Sequence, residues 1–228
     1  MSVSPLHGSV GRHIGRFVAF GALVSLLLFT VAASAYPGGS HFDHHAAGHD
    51  FLRNSLCDVA RSTAIGGAPN AVGAALARIA MTTMALGICG LFWALPERFP
   101  SCMRLGRLVR ALGTIATPAA IAVVFLPTDR FSSLHGIAIV VAGVPGLTAA
   151  MLAVGGLVRE RGGSPMLAML GLGTLATALA AFIIYVHELV AGGPPRIAVP
   201  ALEHVAALLL LAWMLAVSRH PSRRRPAD

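Results

Sequence analysis

The stretch 134–158, LHGIAIVVAGVPGLTAAMLAVGGLV, decides the fold. It carries no charged residue, and at about 1.5 Å of rise per residue a helix of this length outruns the ~30 Å hydrocarbon core of a bilayer. Working outward, runs 17–35, 71–95, 108–126, 166–190 and 199–217 have the same character. Together they predict an all-α integral membrane bundle of six transmembrane helices. The first run has a second reading, because Arg12 and Arg16 precede it and Ala33-Ser34-Ala35 ends it in a small-x-small pattern, as a cleaved signal does. Cleavage would leave five spans. The length of the run favours a retained helix.

Composition excludes the ordinary soluble classes. The chain has 228 residues, 56% of them hydrophobic and only 11% charged, with a mean hydropathy of +0.75, which leaves too little polar side chain to cover a water-soluble surface. Net charge is +8, which by itself suits a nucleic-acid partner. The arginines, however, sit in short clusters beside apolar runs, so no nucleic acid is expected.

Those clusters set the orientation. Arg12, Arg16, Arg98, Arg104, Arg107, Arg110, Arg159, Arg161, Arg219, Arg223, Arg224 and Arg225 flank the spans on one side. Arg53, Arg61, Arg130 and Arg196 lie on the other, with Arg78 inside the second span. The positive-inside rule then places both termini in the cytoplasm of a bacterial cell, with the protein in its inner membrane. The domain map is a basic N-terminus at 1–16, one membrane domain at 17–218 with an outward loop at 36–70, and a basic tail at 219–228. The tail reads either as a topological anchor or as a contact for anionic lipid.

The outward loop contains YPGGSHFDHHAAGHDFLRNSLCDVAR at 36–61, with His41, His44, His45, His49, Asp43, Asp50 and Asp58. Pro37-Gly38-Gly39 ends the first helix. Asp50 is a helix-capping type, and Phe51, Leu52, Leu56 and Val59 fall on one side of a helical projection, so a short amphipathic helix is expected there. Loop positions such as Ser40 are expected to be accessible from outside. Cys57, Cys89 and Cys102 fall at three different depths, which leaves no intrachain disulfide.

Within the spans, small and polar residues recur at spacings of three and four. His135, Ile139, Ala142, Gly146, Ala149, Ala153 and Gly156 form one stripe. Arg78, Thr82, Ala85 and Cys89 form a second, and Gly171, Thr174, Ala178, Ala181, Tyr185 and Glu188 a third. These faces should meet protein, and an opposite charge near Arg78 or Glu188 would offset the cost of desolvation. Pro118 and Pro145 predict kinks.

By depth, Asp129, His135, His187, Glu188, Glu203 and His204 gather at the outer ends of the spans. Imidazoles and carboxylates there suit zinc, with His135, His187 and His204 as ligands and Asp58 or His49 as a further ligand or general base. They equally suit a lipid-headgroup or solute site using Arg78, Glu188, Glu203, Asn54 and Asp129, or a transport path. The histidines also allow pH sensing. The plain alternative is interfacial hydrogen bonding with no further role. Oligomeric state leaves no mark in the sequence.

YPGG, then GHDFLRNSLCDVAR, then Pro69-Asn70, and later FLPTDRFSSLHG at 125–136, resemble a group of bacterial six-span membrane proteins of uncharacterised function. More distantly the chain is similar to the Frag, DRAM and Sfk kind. The resemblance implies the six-span fold and draws attention to His49, Asn54, Asp58, Asp129 and His135. A looser analogue, the membrane hydrolases that include alkaline ceramidases, implies a zinc-dependent cleavage of a lipid amide or ester. The chain departs from that pattern, with Ser132 three residues before His135 and no second histidine one turn after His204.

Overall fold

A computed structural model describes residues 6–192 and 196–219, with side chains from residue 11 onward. The tail arginines Arg223, Arg224 and Arg225 lie outside the described residues. Six long helices account for most of the chain: α1 (Leu6–Ser34), α2 (Ala71–Ala94), α3 (Met103–Phe125), α4 (Thr128–Arg159), α5 (Pro165–Ala191) and α6 (Ala198–Arg219). All six are long and apolar enough to cross a membrane. No strand forms among the described residues, where the only β pairings are the isolated bridges Gly38–Ala47 and Thr63–Pro69.

Short connectors make sequence neighbours into packing neighbours. Each helix lies against the next, and α6 closes the ring on α1. One end of the bundle carries the connectors at 95–102 and 160–164, where the Arg98 guanidinium donates to the Val217 carbonyl at 2.9 Å and the Ser101 backbone N–H donates to the Glu160 carboxylate at 3.2 Å. The long 35–70 loop covers the other end.

The three expected stripes face inward: His135, Ala149, Ala153 and Gly156 are buried on α4, Ala85 on α2, and Gly171, Thr174 and Ala181 on α5. Pro118 and Pro145 lie inside α3 and α4, but the break from helical dihedrals in α4 comes at Phe131 (φ −136°, ψ 43°).

Packing is uneven along the bundle. The main buried cluster, which includes Val18, Leu91, Phe99, Leu157, Trp213 and Met214, occupies the arginine-rich half. In lipid there is little hydrophobic force between helices, so close contact through small residues has to hold them. Aromatic rings are seated on glycines: a Cβ added at Gly156 or Gly171 would come within 2.7 Å of the ring of Phe99 or Trp213. Helices α1 and α2 touch at Gly21 and Gly87, where a Cβ on Gly21 would stand 3.0 Å from the Gly87 Cα. Toward the loop Phe182 is likewise seated on Gly143, but the space beside it is left open.

Candidate functional site: a loop-capped chamber

The loop is a folded lid whose polar side chains close on its own backbone. Asn54, 0% exposed, donates to the Gly39 carbonyl at 2.8 Å and accepts the Asp50 N–H at 2.9 Å. The Tyr36 hydroxyl accepts the Ile65 N–H at 3.0 Å and donates to Gly39 O at 3.3 Å. Asn70 donates to the carbonyls of Val59 and Arg61 at 2.9 and 3.0 Å. At Gly39 the chain runs with φ +87° directly against the backbone of Gly66, where no side chain fits.

These bonds correct the expectation of an amphipathic helix. Asp50 does begin a turn, with the Arg53 and Asn54 N–H groups donating to its carbonyl, but its carboxylate takes the Leu52 N–H. Asp58 likewise takes the Ser55 N–H at 2.8 Å. Side chains that bind nearby backbone in this way compete with helix propagation, and only the 3-10 turn Asp58–Ala60 results. Ser40 is also corrected: it is 0% exposed, its Oγ accepting from the N–H groups of Phe42 and Asp43. Cys57, Cys89 and Cys102 are unpaired. Burial, helped by Glu203 and Asp58, pushes the Cys57 thiol well above its ordinary range.

Several expected site residues hold the lid or the helix ends. Arg78 donates to Ala60 O at 3.2 Å and Ser62 Oγ at 3.0 Å. Asp129 accepts the Thr63 N–H, and Arg61 reaches Thr128 at 3.0 Å, which ties the lid to the start of α4. His135, 3% exposed, bonds through Nδ1 to the Leu126 carbonyl at 2.7 Å and so caps the C-terminus of α3. Glu188 accepts the Arg196 N–H at 2.9 Å. Arg78, through Nη2, and Glu188 thus bond separate partners, the Arg78 Nε staying buried without one, and no ion pair joins the two among the described residues.

Under the lid lies a chamber of about 640 Å³. Its walls are apolar, drawn from all six helices, and include Phe29, Met81, Met84, Val124, Ile139 and Leu211. Its loop end is polar: His49 descends from the lid, and Tyr185, Glu203 and His204 come from α5 and α6. Leu26 and Leu208, both exposed on the outer faces of α1 and α6, also line it, so the chamber reaches the lipid between those helices.

At the polar end the His49 and His204 rings stand 5.7 Å apart, and Phe51 covers His204 with ring centroids 4.0 Å apart. Glu203 accepts the Leu56 N–H at 3.2 Å. Asp58, 2% exposed, sits behind them with His41 at 3.7 Å. Burial lowers the His49 pKa below its ordinary 6.5, and the neighbouring His204 adds to that, against the opposing pull of Asp58 and Asp50. His49 is therefore a neutral imidazole at neutral pH. The Nε2 atoms of both histidines are buried without a hydrogen-bond partner.

The structure therefore joins His49, Asp58, Glu203 and His204, and it separates His187. That residue is exposed on the outer face of α5 with Ile183 and Val190, away from His135 and His204. Among the described residues no group of three His, Cys, Asp or Glu stands close enough to hold a metal ion. Phe51, Leu56, Tyr36 and Tyr185 were not expected in the site. Tyr185 carried a signal in its place on the inward stripe of α5, and Phe51 and Leu56 in the apolar side of the expected loop helix. No protein-family model, curated protein or solved structure matches the chain, so the chemistry of the site rests on its own geometry.

Proposed function

We propose that this protein is a lipid-binding membrane protein that holds one amphiphile, with the apolar chain in the interhelical chamber and the head under the lid. The observation that carries this reading is the chamber itself: about 640 Å³ of apolar-walled space ending at two buried histidine nitrogens without partners. That volume lies within the ~300–1,000 Å³ typical of small-molecule sites, which are likewise mostly apolar with a few placed polar groups. An unsatisfied buried polar group costs about 1–3 kcal/mol, so two at one point favour an occupant that bonds them. The arginine asymmetry further supports a placement with the lid on the non-cytoplasmic side of a bacterial inner membrane.

Native mass spectrometry of the detergent-purified protein tests this reading, together with Ala178→Phe, which puts a ring into the chamber from the α5 wall. One lipid per chain is expected in the wild type and markedly less in the variant. Equal lipid content in both would mean that the bound molecules sit on the outer surface, and the reading would fail.

A further inference from the structure

We infer that the head of the chamber selects a neutral hydroxyl, as on a long-chain alcohol or other uncharged lipid, and discriminates against phosphate and carboxylate heads. The inference rests on the lipid-binding reading and adds the chemistry of the head. His204 bonds through Nδ1 to the Pro200 carbonyl at 2.8 Å. A carbonyl only accepts, so Nδ1 carries the proton and Nε2 of the neutral ring offers a lone pair. That atom is buried and unpartnered in a residue 3% exposed.

The surrounding groups point the same way. The Glu203 carboxyl accepts one hydrogen bond, from the Leu56 N–H, which leaves acceptor capacity unused. No arginine lines the chamber, and the chain has no lysine. Arg78, on the adjoining α2, does not line the chamber; its Nη2 donates to Ala60 and Ser62, and its Nε is buried without a partner. A charged head would have to leave water for an apolar-walled chamber, and an anionic one would find no cation among the lining residues, at a desolvation cost far above that of a hydroxyl. A hydroxyl supplies the missing donor at no cost in charge. Phe51, exposed and lying over His204, is the side chain that turns aside to admit it.

The experiment uses delipidated full-length protein in detergent and five probes sharing one chain: oleyl alcohol, its methyl ether, oleylamine, oleate and oleyl phosphate. Oleyl alcohol should be retained at about one per chain and preferred to the ether by about tenfold or more, the worth of one well-made buried hydrogen bond. Oleate and oleyl phosphate should bind more weakly than the alcohol. His204→Phe should erase the preference for alcohol over ether while still retaining both. Because the comparison among probes is made on the wild type, it stands even if that variant does not fold. Equal retention of alcohol and ether, or tighter binding of oleylamine, oleate or oleyl phosphate, overturns the hydroxyl inference and leaves the chamber in place. Retention of no probe by the wild type overturns both.

Discussion

Asn54→Ala should open the lid without unfolding the bundle. The side chain makes two hydrogen bonds from a fully buried position, one to Gly39 O and one from Asp50 N–H. Gly39 O keeps its longer bond from Tyr36, so its loss amounts to about 1 kcal/mol, and the half-buried Asp50 N–H contributes about the same. A sum of about 2 kcal/mol is a factor of about 30 in the opening equilibrium. Hydrogen exchange read by mass spectrometry reports this directly, because Gly39, Ser40 and Asn54 donate their N–H groups within the lid. Exchange across 38–54 should quicken about 30-fold, with the helices unchanged. Unchanged exchange in 38–54 would show that Asn54 does not hold the lid. Equal acceleration in the helices would show that lid and bundle open as one unit.

Three further outcomes follow from the lid. Gly39→Ala and Gly48→Ala both place a side chain at positive φ, but only Gly39 faces backbone while Gly48 faces open space. The Gly48 variant should therefore lose about 1 kcal/mol of lid stability and the Gly39 variant several times that, measured by the same exchange. For His49 the folded pKa lies below the unfolded 6.5, so the unfolded lid binds more protons as pH falls. Stability is full above about pH 6.5 and declines as pH drops toward the folded value; His49→Gln should flatten that slope in thermal melts between pH 5 and 8. Finally, in a cysteine-free background His44→Cys should react with an impermeant thiol reagent added outside intact cells, whereas Ser40→Cys should react only after denaturation. Labelling of His44→Cys only after lysis would reverse the proposed orientation.

The spans were legible because hydropathy and length are one-dimensional properties, and each expected run falls inside or within a residue of the helix found. The observed helices extend past the apolar windows, α3 from Met103 and α4 from Thr128, because backbone hydrogen bonding does not stop where lipid does. Inward faces were legible for the same reason of period. The stripe that placed Glu188 inside also excluded His187, one residue and about 100° away, so its exclusion from the site could have been read beforehand. The lid was not legible, since Asp50, Asn54 and Asp58 bind backbone two to fifteen residues off and override a helical pattern of apolar residues. Nor was the chamber, which is the volume left by side chains on six helices and has no counterpart in any single stretch.

The contrast between a tightly notched half and a hollow half bears on how such a protein can change over generations. Where Phe99 and Trp213 rest on Gly156 and Gly171, an added methyl collides, and most substitutions there endanger folding before any new property is tried. Around the chamber, Ala120, Ala178 and Ala207 border open space that a larger side chain can enter. Selectivity for the tail of a ligand can therefore drift by single substitutions at little risk to assembly. The two halves divide inheritance between them, one conserving the scaffold and the other free to explore.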